Sequence, residues 1–206
     1  MRIQFVYDFI CPWCYIGLHR LKKVMEAFPE QKFDIEFVAY PLADLPRESV
    51  IYRDRLIEMF DGDVAQVEKN AARIAGIGRE LGLNFRYDRQ LWIGSTFDAH
   101  RMVKYAPESK QLALVDAVFR AQFEEGRKIS AVDDLAAIAA EAGVGSVTDC
   151  KRFAASDELA PVVREELTRS EGLPLITVPY LVIDGTYQVQ AAHLPDVTMS
   201  CVSNLQ

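Results

Sequence analysis

The chain has 206 residues, half of them hydrophobic, and a formal net charge of −7. This composition is typical of a globular domain. The acidic excess argues against nucleic acid as a partner. No apolar stretch approaches the roughly 20 residues that a membrane-spanning helix needs, so we expect no membrane insertion. The first residues resemble a strand rather than a secretory leader, and we therefore expect a cytoplasmic protein without a disulfide framework.

Two cysteines lie where a predicted strand meets a predicted helix. Residues 3–9 alternate between aromatic or β-branched and other side chains, which predicts a strand. From Leu18 to Phe28, apolar residues recur at helical spacing. Cys11 and Cys14 fall between the two patterns, and Pro12 suits the first position of a helix because that position needs no backbone N–H.

This placement predicts thiol chemistry. The N–H groups and the dipole at a helix N-terminus favour an anion, so Cys11 is the candidate nucleophilic thiolate. Cys14, one turn further along, is placed to resolve a mixed disulfide formed at Cys11. A zinc site is the alternative, but structural zinc uses four ligands and the sequence has no second close pair. We therefore expect a redox pair and no metal.

A second strand pattern at residues 34–40 completes a βαβ unit with parallel strands. Helical patterns then fill the chain as far as residue 172, several of them closed by glycine. One of these helices starts at a Ser130-x-x-Asp133 sequence that resembles a capping box. Strand patterns return after Leu173, and Asp184-Gly185 is a strong hairpin signal between them. Residues 194–205 could form a last helix.

The predicted fold class is α/β, with a large all-helical insertion between a βαβ half and a ββα half. A Cys-x-x-Cys pair near a βαβ pattern is typical of a thioredoxin-like fold. Residues 1–41 and 173–206 form the predicted thioredoxin-like domain, and residues 42–172 form the insertion. We see no internal repeat and no long linker in the sequence.

Four segments resemble the DsbA family, in particular its FrnE-like branch of bacterial cytoplasmic dithiol-disulfide oxidoreductases. Residues 11–17 (Cys-Pro-Trp-Cys-Tyr-Ile-Gly) resemble the opening motif, and residues 177–185 (Thr-Val-Pro-Tyr-Leu-Val-Ile-Asp-Gly) resemble the proline strand and hairpin. Residues 95–101 and 119–130 are weaker matches. Residues 190–193 (Gln-Ala-Ala-His) depart from the common Ser-Gly-Ala-Gln. The resemblance covers nearly the whole chain.

The resemblance implies roles for residues around the two cysteines. It implies a cis bond between Val178 and Pro179 beside the pair, with the Val178 backbone available to dock an extended substrate. Pro12 and Trp13 lie between the sulfurs and are expected to tune the redox potential. An indole supplies neither a ring acceptor nor a cation, so we expect a weaker oxidant than the family member that carries an imidazole there.

Other residues are candidates for supporting roles. Asp8 and Glu36 are two candidates for an acid that moves protons to and from Cys14, although a solvated carboxylate is the commoner situation for each. His100 is a candidate supporting group, with a buried structural histidine as the alternative. Cys150 and Cys201 are expected to be separate thiols, unless folding brings them together as a second pair.

The predicted activity is that of a thiol-disulfide oxidoreductase or isomerase acting on protein or small-molecule disulfides. No bound cofactor is expected, and glutathione is a candidate redox partner. The alternative is a glutathione-dependent isomerase or transferase related to 2-hydroxychromene-2-carboxylate isomerase, whose site resembles this one with serine in place of the first cysteine. A thioredoxin-fold binding module without activity is a third reading, which the intact Cys-x-x-Cys disfavours. The sequence does not determine the substrate or the oligomeric state.

Overall fold

The computed structural model describes residues 1–171 and 178–190. The chain divides into two compact units. The first consists of Met1–Leu42 with Arg164–Gln206, and the second of Ala43–Val163. The limits predicted for the thioredoxin-like domain and the insertion remain a proposal.

The first unit opens with the predicted βαβ arrangement. Strand β1 covers Arg2–Tyr7, helix α1 covers Pro12–Ala27, and strand β2 covers Asp34–Ala39. The two strands are parallel, in a register that pairs Arg2 with Asp34 and Tyr7 with Ala39. Because only four residues separate the end of β1 from the start of α1, the cysteine pair lies at the carboxyl end of β1.

The second unit is helical except for one short strand pair that the sequence patterns did not indicate. In chain order it contains β3 (Val50–Ile51), α2 (Tyr52–Met59), α3 (Val64–Glu80), β4 (Trp92–Ile93), α4 (Phe97–Tyr105), α5 (Glu108–Arg120), a π-helical turn (Ala121–Glu125), α6 (Val132–Glu141) and α7 (Val147–Ala154). Strands β3 and β4 pair antiparallel over two residues. The helices predicted in this region are present. The prediction that the insertion is all-helical was wrong in one respect, because the insertion also contains the β3–β4 strand pair.

Two details of this unit differ from the sequence-based expectation. Helix α7 was missed because it has only eight residues, although the Ser146 hydroxyl caps it by accepting a hydrogen bond from the Asp149 N–H. The proposed capping box at Ser130 is wrong. Helix α6 begins at Val132 with Ala131 at its N-cap, and the Ser130 hydroxyl lies 2.7 Å from the hydroxyl of Ser49 instead.

The chain returns to the first unit along α8 (Ala160–Glu171) and ends, within the described residues, in β5 (Tyr180–Ile183) and β6 (Tyr187–Gln190). The described sheet has the order β2-β1-β5-β6, with β5 antiparallel to both of its neighbours. Asp184 and Gly185 have φ values of 48° and 71°, so the hairpin turn forms where it was predicted. The strand residues 175–177 and the predicted last helix lie outside the described residues.

Candidate active site around Cys11 and Cys14

Cys11 occupies the N-cap of α1. Its backbone is extended (φ −91°, ψ 109°), Pro12 follows as the first helical residue, and the Cys11 side chain makes no capping hydrogen bond. The sulfur therefore lies at the positive end of the helix, where negative charge is stabilised. Both cysteines are free thiols in the structure. Cys11 is 6% exposed and Cys14 is fully buried.

The two thiols differ in their electrostatic surroundings. Burial raises the pKa of Cys14 well above its usual value, and a hydrogen bond to Cys11 together with negative charge at Cys11 and Asp8 raises it further. A hydrogen bond from the Asp8 backbone opposes this rise. Cys14 is therefore held as a thiol at neutral pH, and it needs a proton acceptor before it can attack a disulfide.

Val178 and Pro179 lie beside the pair, as the resemblance implied. The Val178–Pro179 peptide bond is cis. The Cys11 thiol donates to the Val178 carbonyl oxygen over 3.7 Å. Strand β5 brings these residues here because Tyr180, which follows Pro179, pairs with Val6 at the end of β1. Pro12 and Trp13, the two residues between the cysteines in the sequence, are half-buried.

Asp8 is the candidate acid that the structure places next to the pair. It is fully buried, and its carboxylate accepts a 2.7 Å hydrogen bond from the Leu42 N–H. Its backbone carbonyl accepts a hydrogen bond from the Cys11 N–H. The negative charge of this carboxylate is one of the smaller causes of the raised pKa of Cys14, and a proton-exchange role for Asp8 stays a prediction.

Glu36, the other candidate acid, lies elsewhere on the sheet. It pairs with Gln4 in the register of β1 and β2, three residues before the Tyr7–Ala39 pair, which is roughly 10 Å along the strand. Its carboxylate accepts hydrogen bonds from the side chains of Arg2 and Gln4 and is one-third exposed. The structure thus keeps Glu36 away from the cysteines.

Glu166 is a buried carboxylate of this unit that the sequence reasoning missed. It lies on α8, is 4% exposed, and accepts a 2.9 Å hydrogen bond from the Ala39 N–H. The charges of Glu166, Asp8 and Cys14 add to burial in raising the pKa of Tyr7 well above its usual value. Sequence spacing could have indicated its burial. Glu166 follows the buried Val163 by three residues, which places both on the same face of α8.

The remaining candidates lie in the second unit or outside the described residues. His100 is buried on α4. The neighbouring Arg101 is also fully buried and pairs with Asp98 at 2.7 Å, so this sequence segment has a clear structural role. Cys150 is a buried free thiol on α7, and Cys201 lies outside the described residues. The possibility of a second cysteine pair stays untested.

The described residues contain no group of three or more His, Cys, Asp or Glu side chains arranged to hold a metal ion. Within the same residues, no helix is both long and apolar enough to cross a membrane.

Comparisons with known proteins identify the family. The model of the DSBA-like thioredoxin domain matches residues 2–198. No curated protein matches the chain. A solved structure described as a probable DsbA oxidoreductase from Streptomyces coelicolor is 26% identical, with a TM-score of 0.89, and the match covers 99% of this chain and 89% of that one.

Two further solved structures are similar in fold. The first is 2-hydroxychromene-2-carboxylate isomerase, at 15% identity and a TM-score of 0.76, covering 100% of this chain and 96% of that one. The second is the cytosolic disulfide reductase DsbM from Pseudomonas aeruginosa with GSH, at 17% identity and a TM-score of 0.70, covering 100% and 98%. With a family model that spans nearly its whole length and a dithiol at the head of its first helix, the chain belongs to the DSBA-like thioredoxin domain family.

Proposed function

We propose that this protein is a dithiol-disulfide oxidoreductase of the bacterial cytoplasm that acts on protein or small-molecule disulfides through Cys11 and Cys14. The observation that carries the proposal is the asymmetry of the pair. One sulfur lies at a helix N-terminus and is slightly exposed, and the other is fully buried and held as a thiol. A nucleophile and a resolving thiol need these two environments.

The reduction of a substrate disulfide proceeds in two exchanges. The Cys11 thiolate attacks one substrate sulfur, a Cys11–substrate disulfide forms, and the first substrate thiolate leaves and takes up a proton. Cys14 then gives its proton to the Asp8 carboxylate and attacks the Cys11 sulfur. The second substrate thiolate leaves and takes up that proton. The substrate gains two electrons and two protons, and the enzyme is left with a Cys11–Cys14 disulfide.

Other residues shape the site in this proposal. The backbone of Val178 docks an extended substrate in this proposal, with Pro179 beside it, and the contact between the Val178 carbonyl and Cys11 supports this role. Pro12 and Trp13 tune the potential of the pair, and His100 stays a candidate for a supporting role. Two molecules of a thiol such as glutathione regenerate the dithiol and leave as a disulfide. The structural likeness to a disulfide reductase solved with GSH is consistent with this partner.

Insulin reduction tests the activity. The protein with glutathione as reductant should speed the precipitation of insulin chains, and Cys11→Ser should abolish this effect. Cys14→Ser should accumulate a mixed disulfide at Cys11, visible by mass spectrometry without reductant. Cys150→Ser, a change at a buried thiol of the second unit, is the control and should leave the rate unchanged.

The same variants separate the proposal from a glutathione-dependent isomerase or transferase. Such an enzyme would have little use for Cys14, so Cys14→Ser would keep full activity on its substrate. Loss of insulin reduction in Cys14→Ser supports the dithiol mechanism. Wild-type protein that neither reduces insulin nor forms a mixed disulfide would contradict it.

A further inference from the structure

Two side chains of α8 hold the last residue of β2 by both of its backbone groups. Glu166 accepts a hydrogen bond from the Ala39 N–H at 2.9 Å. The Ser170 hydroxyl lies 3.0 Å from the Ala39 carbonyl oxygen and 2.9 Å from the carbonyl oxygen of Leu167 on its own helix, and its one proton is shared between these two acceptors. Both side chains are buried, at 4% and 1% exposure. They are four residues apart, so they lie on one face of the helix. We call this arrangement the Ala39 clamp.

The clamp lies on the outer side of β2. Within the described sheet β2 is an edge strand, and its other side pairs with β1. The Tyr40 N–H, one residue after Ala39, bonds to the Tyr7 carbonyl and so faces β1. Because successive backbone groups alternate in direction along a strand, the Ala39 groups face outward. Side chains from a helix thus satisfy them in place of a further strand.

The clamped residue is three residues away from the group that holds Asp8. The chain continues from Ala39 through Tyr40, which is fixed by Tyr7, and Pro41, whose ring restricts the backbone. The next residue is Leu42, whose N–H donates to the Asp8 carboxylate at 2.7 Å. Two covalently linked residues thus separate Ala39, which α8 holds, from the residue whose N–H holds Asp8, so a shift of Ala39 would act on that N–H over a short distance.

We propose that Glu166 and Ser170 are positioning residues for the dithiol, which keep the Asp8 carboxylate in place to accept the Cys14 proton. This inference rests on the proposed function and extends it to residues that do not touch either sulfur. Their effect should be confined to the second exchange, in which Cys14 attacks the Cys11 mixed disulfide. The first exchange, in which Cys11 attacks a disulfide, needs no proton from Cys14.

The two exchanges are separated with oxidised glutathione as the probe. Rapid mixing and acid quenching, followed by mass spectrometry, give the rate at which the mixed disulfide between Cys11 and glutathione forms and then decays. Decay releases one glutathione thiol and leaves the Cys11–Cys14 disulfide. In a Cys14→Ser background only the first exchange remains.

Glu166→Met removes the acceptor for the Ala39 N–H, and Ser170→Ala removes the donor to the Ala39 carbonyl. Each change should slow the decay step by about tenfold or more, since small displacements of catalytic groups have effects of this size. Formation of the mixed disulfide in the Cys14→Ser background should stay within about twofold of wild type. Glu166→Gln, which retains an acceptor oxygen, should decay at close to the wild-type rate.

The exposed face of the same helix supplies matched controls. Glu165→Met repeats the change made at Glu166, and Thr168→Ala removes a hydroxyl together with a methyl group. Both controls lie at exposed positions and should leave both steps unchanged. All rates are compared at a temperature where circular dichroism shows each variant to be fully folded. If Glu166→Met fails to fold, Ser170→Ala decides the question.

The possible results separate this inference from the proposed function. Clamp variants that are less heat-stable but keep the wild-type decay rate would show a purely structural role and overturn the inference alone. Equal slowing in Glu166→Gln and Glu166→Met would also overturn it, because the clamp requires only an acceptor. Wild-type protein that forms no mixed disulfide would overturn the proposed function, and the inference with it.

Discussion

At the scale of single residues, two cysteines three positions apart differ in chemistry because they occupy different positions relative to the start of α1. Cys11 is the N-cap of α1 and Cys14 is inside its first turn. The first is therefore slightly exposed at a site that favours anions, whereas the second is enclosed by the core and close to the Asp8 charge. The division of roles within the pair follows from this difference.

Alkylation should distinguish the cysteines. At pH 7 we expect iodoacetamide to modify Cys11 faster than the other three, as measured by peptide mass spectrometry. Cys14 is held as a buried thiol, and burial together with Asp149 raises the pKa of Cys150. Cys14→Ser is the control and should leave Cys11 the fastest site. Preferential labelling of Cys150 or Cys201 would contradict the assignment of the nucleophile.

Alkaline pH should destabilise the reduced protein. The pKa values of Cys14 and Tyr7 are raised in the folded state from ordinary values of 9.0 and 10.0. Above about pH 9 the unfolded chain therefore loses protons that the folded chain retains, and the free energy of unfolding falls as pH rises. Urea unfolding at pH 8 and pH 10.5 measures this loss.

Tyr7→Phe should make that loss smaller, because Phe has no proton to release. Tyr187→Phe, at an exposed position on β6, is the matched control and should leave the pH dependence as it is in wild type. An identical alkaline loss in wild type and Tyr7→Phe would show that Tyr7 does not contribute.

At the scale of elements, α4 carries a buried cation that joins it to the segment before α8. Arg101 is fully buried, pairs with Asp98 on its own helix, and donates two hydrogen bonds to the Glu158 carbonyl at 2.9 and 2.7 Å. Its guanidinium also lies 5.0 Å from the centre of the Phe153 ring on α7. One side chain thus ties together three parts of the second unit.

Arg101→Leu should lower the free energy of unfolding by about 3–5 kcal/mol, because it leaves the buried Asp98 charge with only the exposed Arg47 as a partner and removes both donors to the Glu158 carbonyl. Arg152→Leu is the control. It removes the arginine of a second ion pair, Asp149–Arg152, which has the same i,i+3 spacing but is largely exposed. That control should cost less than about 1 kcal/mol. Urea midpoints compare the two, and equal effects would contradict the assigned role of Arg101.

At the scale of the whole molecule, one unit carries the dithiol together with Asp8 and the Val178–Pro179 segment. Strand β1, helix α1, the Val178–Pro179 segment and the part of α8 from Arg164 onward belong to that unit. The chemistry of this unit can be tested by measuring the reduction potential of its dithiol. This potential depends on how strongly the reduced form of the pair is stabilised.

The reduction potential should lie between that of thioredoxin and that of the periplasmic oxidant DsbA, about −270 to −120 mV. Trp13 offers no imidazole to stabilise a thiolate, so the pair should reduce or isomerise disulfides better than it forms them. Redox titration against glutathione, read by alkylation and mass spectrometry, gives the midpoint.

Trp13→His should raise this midpoint by about 30 mV or more, a tenfold change in the equilibrium constant. The same substitution at Trp92, in the second unit, is the control and should leave the midpoint unchanged. A wild-type midpoint at or above that of the periplasmic oxidant would show that Trp13 does not act in this way.

The sequence by itself determined the features that depend on neighbouring residues. The alternation before Cys11 and the proline after it place the dithiol at a strand–helix junction, and the structure has it there. Asp184-Gly185 predicts a hairpin because both residues tolerate positive φ, and both adopt it. The glycines at 62, 82, 126 and 143 follow helices and also have positive φ.

Only the tertiary structure decided which carboxylates of the unit that carries the dithiol are buried. Asp8 and Glu36 looked equivalent in sequence, but Asp8 is enclosed just after the end of β1, whereas Glu36 lies on β2 and its partly exposed carboxylate pairs with Arg2. Glu166 resembled a solvated helix residue until α8 brought it to Ala39, 127 positions earlier in the chain. A strand or helix pattern predicts which face is buried, but the group that meets that face comes from packing between distant segments.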